Sequence, residues 1–95
     1  MPNANYVRGR AAETKLVNQF KAQGWTAFRS AGSHGPYDVV AIPPNIYPDA
    51  AIQLIQVKSV KTLNRLKYYQ KSHKILTIRA GVWDRIMILY KGSWY

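Results

Sequence analysis

The chain has 95 residues, 47% of them hydrophobic, no cysteine, and fourteen Lys and Arg against four acids, for a formal net charge of +10. That length predicts one domain over residues 1–95; the lack of cysteine excludes disulfide staples and thiolate metal sites; and no apolar run reaches signal or membrane-span length, so a soluble, intracellular (cytoplasmic) protein with no membrane partner is expected. A charge this one-sided repels itself and is matched to a polyanion, with nucleic acid the expected partner and an anionic membrane surface, ribosome-like packing or plain solubility charge the alternatives.

Residues 6–23 carry a helical pattern, in which Ala12, Leu16, Val17 and Phe20 form one apolar stripe at the 3.6-residue period. Gly24 follows directly and suits a C-terminal cap, because it takes positive φ without a Cβ clash. Glu13 lies three residues before Leu16 and four before Val17, on the core-facing stripe and close to the helix start. It is the chain's one glutamate, and reads either as a flank residue with a snorkelling carboxylate or as a site residue. Trp25–Ser30 alternates as a strand, with Trp25, Ala27 and Arg29 on one side and Thr26, Phe28 and Ser30 on the other. Residues 31–37 form a turn region with Gly32, Gly35 and Pro36. The short, mostly apolar run at 38–42 is expected to be a central strand covered on both faces. Pro43-Pro44 ends it, a long hairpin loop fills 43–50, and 51–59 is the next strand.

Beyond Ser59 the character changes: residues 58–79 hold seven Lys and Arg and no acid. Residues 61–71 read as a helix, with Leu63, Leu66 and Tyr69 or Gln70 along one edge. Residues 74–79 and 85–91 read as two strands joined by a turn at 80–84, before a short aromatic tail at 92–95. The order α-β-β-β-α-β-β predicts an α/β fold, a mixed β-sheet flanked by helices.

The chemistry concentrates between Arg29 and Lys58. Alternation along a strand puts Gln56 and Lys58 on one face with Val57 anchored in the core between them. Asp38 opens the preceding strand, and an antiparallel hairpin returns the end of one strand to the start of the other. The carboxylate of Asp38, the amide oxygen of Gln56 and the backbone carbonyl of Val57 suit a hard divalent ion such as Mg²⁺. Such an ion acidifies a bound water and polarises a phosphodiester, while Lys58 steers the water or offsets charge in the transition state. The blander readings are a turn or capping role for Asp38 and a solvated strand-end charge for Lys58. His34 lies in the loop 31–35, whose glycines let the backbone approach a phosphate; it reads as a general base or an ordinary loop residue. His73 is a surface residue or phosphate contact, and Asp49 and Asp84 are turn residues. Tyr68 and Tyr69 fit a core, a dimer interface or a stacking wedge, and Trp25, Trp83 and Trp94 fit core or interface anchors. The basic run, with Lys61, Arg65, Lys67 and Lys71, is where a DNA backbone is expected, flanked by Arg8 and Arg10.

Gly9-Arg10-Ala11-Ala12-Glu13, Gly24-Trp25, Phe28-Arg29-Ser30-Ala31-Gly32-Ser33, Tyr37-Asp38-Val39-Val40-Ala41 and Gln56-Val57-Lys58 together resemble the archaeal-type Holliday junction resolvases of the PD-(D/E)XK nuclease superfamily. The resemblance runs in order from about Tyr6 to Ser59, and only in outline beyond. It implies a restriction-endonuclease-like fold and a homodimer that needs Mg²⁺ or Mn²⁺ and cuts two strands of a four-way junction symmetrically, in DNA recombination and repair. It further implies a metal-site role for Glu13, the central metal-binding aspartate at Asp38, the catalytic lysine at Lys58, and an arginine supporting catalysis or holding a phosphate at Arg29. Ser30 or Ser33 matches a loop serine near the substrate backbone. Gln56 stands where the family usually has glutamate, which keeps an oxygen ligand but removes a charge. Related nucleases acting on flap, nicked or duplex DNA, and a catalytically weak DNA-binding module, are the alternatives; a cellular or a viral origin fits equally.

Overall fold

The computed structural model describes residues 4–30, 37–47, 49–72, 76–79 and 81–95. Its elements are α1 (Ala4–Ala22), β1 (Thr26–Arg29), β2 (Val39–Ile42), β3 (Ile52–Val60), α2 (Leu63–Ser72), β4 (Leu76–Arg79), β5 (Val82–Tyr90) and β6 (Ser93–Trp94).

The apolar stripe of α1 does what its period requires: Ala12, Leu16 and Val17 are buried against Ala27, Val39, Ala41, Ile55 and Val57 of the sheet. The helix ends in a two-bond cap. Gly24 takes φ +88°, its N–H donates to Lys21 O and that of Trp25 to Phe20 O, both at 3.0 Å. The rings of Phe20 and Trp25 close over the cap with centroids 5.0 Å apart, the apolar contact that accompanies this motif.

The sheet runs β1-β2-β3-β5-β4, with β6 beside β5. β2 runs antiparallel to both β1 and β3, while β3 and β5 are parallel over their full length. A parallel pair needs a crossover connection, and α2 supplies it. The fold is therefore mixed α/β, a restriction-endonuclease-like sheet flanked by helices. The two helices lie on opposite faces. Val57 points to the α1 face, whereas Lys58 points to the face where α2 buries Leu66 beside Ile88.

Three details differ from the sequence expectation. β5 begins at Val82, not 85, and the turn contracts to the region of Gly81, whose φ is +81°. Asp84 is therefore a strand residue opposite Leu54 and Leu76, because Val82 and Trp83 extend the ladder. The tail also turns back as β6 through Lys91 (φ +49°) and Gly92 (φ +79°), the two positive values of a tight hairpin turn. Finally, β2 is covered on one face only. Val39 and Ala41 are fully buried under α1, but Ile42 and its neighbour Phe28 on the other face are 36% and 48% exposed, since α2 sits over β3 and β5.

Candidate active site

Asp38, expected at the heart of the site, lies where β1 ends, β2 begins and β3 passes its last β2 partner. Asp38 is fixed there by three hydrogen bonds. Its carbonyl accepts from Ser30 N at 2.9 Å, its N–H donates to Ile55 O at 2.8 Å, and its Oδ2 accepts from Val57 N at 2.8 Å. The physical reason is a ladder that runs out. The last β2–β3 pair is Val39–Ile55, and Ile55 directs its carbonyl toward β2. Backbone groups on a strand alternate sides, so Val57 directs both N–H and C=O to the same edge, past the end of β2. The Asp38 carboxylate satisfies that N–H, and the Val57 carbonyl lies on the same edge.

Gln56 and Lys58 project from the opposite face to Val57, which is 8% exposed. Both are half-buried. The ammonium of Lys58 stands 5.3 Å from the ring centroid of Tyr69 on α2, within cation–π range, and Tyr69 meets Tyr68 edge-on at 5.3 Å. An aromatic wall therefore holds the lysine.

Glu13 reaches the same end of the sheet from α1. Its Oε1 accepts from Arg29 Nε at 3.2 Å, and both side chains are mostly buried. Arg29 is paired with Val39 on β2, the residue after Asp38. A continuous set of contacts thus links Glu13, Arg29, the β1–β2 ladder, Asp38 and Val57. Among the described residues no three His, Cys, Asp or Glu gather as a metal-binding group. The oxygens at this end of the sheet are the carboxylates of Asp38 and Glu13, the Gln56 amide and the Val57 carbonyl. All of these donors are hard oxygens, which fits a divalent ion of the Mg²⁺ or Mn²⁺ type.

Of the expected DNA-contacting residues, Arg8, Lys61 and Arg65 line one cleft of ≈ 490 Å³ with Ser59, Val60, Thr62 and Tyr69. Arg10, Lys67 and Lys71 are exposed outside it. Ser30 is half-buried in the β1–β2 ladder, and Ser33, His34 and His73 lie outside the described residues. With this geometry in place, the comparison with known families is decisive: the sequence model described as archaeal Holliday junction resolvase (hjc) matches residues 4–80.

The chain belongs to the archaeal Holliday junction resolvase family.

The family match extends from α1 through β4 and includes Glu13, Arg29, Asp38, Gln56 and Lys58, leaving β5 and β6 outside it. No curated protein and no solved structure matches the chain. Three side-chain contacts were not anticipated from sequence. Tyr69 holds Lys58, and its i, i+4 spacing from Arg65 was the available signal. Arg85 Nη1 donates to Oε1 of the buried Gln53 at 2.9 Å, and burial lowers the pKa of that guanidinium from its ordinary value. A glutamine inside the run Ile52–Ile55 was its only trace. Tyr37, the residue before Asp38, hydrogen-bonds Asp84; partial burial, then the charge of Asp84 and that bond, raise its phenol above 10.0. Nothing local in the sequence joins positions 37 and 84.

Proposed function

We propose that this protein is a divalent-metal-dependent, structure-selective endodeoxyribonuclease. In this reading it resolves four-way DNA junctions as an intracellular homodimer, each subunit a single nuclease domain over residues 1–95. The observation that carries the reading is the fixing of Asp38 between β1 and β3, with its carboxylate on Val57 N, inside a chain of the resolvase family. Two of the three bonds are backbone bonds open to any residue, and the carboxylate bond to Val57 N is the one that holds the acid side chain at this strand edge.

Each residue then has a task. Asp38 and Glu13 supply the two carboxylates for a Mg²⁺ or Mn²⁺ ion, with Gln56 and the Val57 carbonyl as neutral ligands. When bound, the ion supplies an acidified water and a Lewis acid for the phosphodiester. Lys58, kept half-buried against Tyr69, presents a positive charge to the phosphorane-like transition state, where a preorganised charge is most effective. Arg29 keeps Glu13 turned toward the sheet end. Arg8, Arg10, Lys61, Arg65, Lys67 and Lys71 attract the backbone; Ser30, after the end of β1, contacts it near the cut, and Ser33 and His34 are assigned the same task from the sequence. In support of a homodimer, Phe28, Val40 and Ile42 leave an apolar sheet face open, a surface that a second copy would bury.

One observation favours a second reading, a DNA-binding module with weak chemistry: the neutral Gln56 leaves the site one charge short. A synthetic four-way junction, incubated against linear duplex with Mg²⁺ and with chelator, separates the readings. Metal-dependent cutting of the junction alone is expected; equal cutting of both substrates points to a flap, nick or duplex nuclease, and tight binding without cutting at millimolar metal overturns the enzyme.

A further inference from the structure

The cleft beside α2 is not part of the metal centre, yet it shares a wall with it. It is built from α1 through Arg8, from the chain between β3 and α2 through Lys61 and Thr62, and from α2 through Arg65 and Tyr69. Among the described residues, no acidic one lines it. The hydroxyl of Thr62 is engaged by Arg65 N at 3.2 Å, as in an ordinary helix N-cap, so the positive character of the cleft comes from side chains of two separate elements. Tyr69, one wall of the cleft, also holds Lys58.

We infer that this cleft takes a DNA backbone phosphate, one or two nucleotides away from the scissile one. The inference rests on the nuclease reading for the identity of the strand, but the cleft argues for a phosphodiester on its own terms. Its volume of ≈ 490 Å³ is in the range of a ligand site and accommodates a nucleotide unit more readily than a lone ion. Among the described residues the walls bring cations and an aromatic ring but no Asn or Gln, the groups that read base edges, so the contact positions without specifying sequence. Val60, another wall, is two residues beyond Lys58, roughly 7 Å along the strand. Successive phosphates of one strand lie farther apart than their axial rise of about 3.4 Å, so one strand crossing both points puts its phosphates one or two apart.

Helical spacing makes the inference testable, because it sorts the cations of α2. Leu66 faces the sheet, Arg65 and Tyr69 lie on its cleft side, and Lys67 and Lys71 fall on the other flank. We would measure binding of a labelled four-way junction in chelator over a salt series, for wild type, Lys61→Ala/Arg65→Ala and Lys67→Ala/Lys71→Ala. The two variants lose equal charge. Each phosphate contact contributes about 0.9 to the log–log salt slope, so the cleft variant is expected to lose close to 2 and the other variant clearly less. Equal losses in both would overturn the inference by reducing the cleft to general surface charge. So would protection of wild type, but not the cleft variant, against thermal unfolding by inorganic phosphate alone when the DNA slopes do not differ, since that describes a small-anion site. Chelator removes cleavage from the measurement, so failure of the junction-cutting assay and failure of this inference are read separately.

Discussion

Asp38 is asked to do two things, one structural and one chemical, and two substitutions separate them. Asp38→Ala removes the acceptor of Val57 N, a 2.8 Å bond beside a residue that is only 8% exposed. Leaving a buried N–H unpaired costs about 1–3 kcal/mol, the upper half applying where the acceptor was charged. For a chain of this size each kcal/mol moves the midpoint by about 4–8 °C, so a loss near 2 kcal/mol lowers Tm by roughly 8–16 °C. Asp38→Asn keeps an oxygen that can accept the same N–H, and forfeits only the charge-assisted part, about 1 kcal/mol. Both variants raise the formal charge from +10 by one, so general repulsion cancels between them. Thermal unfolding followed by circular dichroism, in chelator and at fixed chain concentration, should rank wild type, then Asn, then Ala. In junction cleavage with Mg²⁺ both variants should be inactive while still binding. Equal Tm for wild type and Asp38→Ala would refute the clamp, and full activity of Asp38→Asn would refute the metal role.

Gln56→Glu restores a third carboxylate, and the Mg²⁺ concentration needed for half-maximal cleavage should fall by about tenfold or more, a change of roughly 1.4 kcal/mol in metal binding; an unchanged metal titration would take Gln56 out of the ligand set. Tyr69→Ala releases Lys58 and should lower kcat several-fold to about thirtyfold, the range of a cation–π contact, whereas Tyr69→Phe keeps the ring and should retain kcat; equal losses in both would assign the effect to the hydroxyl instead. Gly24→Ala meets no atom nearer than Pro44 Cγ at 4.0 Å, so its cost is backbone strain alone at φ +88°. Chemical unfolding should show about 1–2 kcal/mol lost, and no loss would mean that the helix ends without the left-handed cap. Tyr37 holds its proton more tightly in the folded chain than its ordinary 10.0, so this group's stabilisation is complete below pH 10.0 and is lost as the pH rises through the raised folded value. Tyr37→Phe should flatten that alkaline part of the stability curve, and an unchanged curve would remove Asp84 from the account.

The sequence by itself determined the order of the elements through β5 and the core face of α1. The stripe Ala12–Leu16–Val17–Phe20, the cap at Gly24 and the alternation that sets Ala27 apart from Phe28 and Val57 apart from Gln56 and Lys58 are local properties of side-chain period and backbone sterics. They set α1 on one sheet face before any tertiary contact is known. The pattern of Asp38, Gln56, Val57 and Lys58 was legible for the same reason, since strand alternation and hairpin return are short-range geometry. What only the tertiary structure decided involves partners far apart in the chain. The parallel join of β3 to β5 depends on the α2 crossover; the open face of β2 depends on where α2 lands; and Lys58 rests on Tyr69 because that same helix crosses its strand. Glu13 and Arg29 meet because α1 packs across the ladder, and Arg8 shares a cleft with Lys61 and Arg65 only once both helices are docked. Periodicity fixes which way a side chain points relative to its own element. It carries no information about which other element will be waiting there.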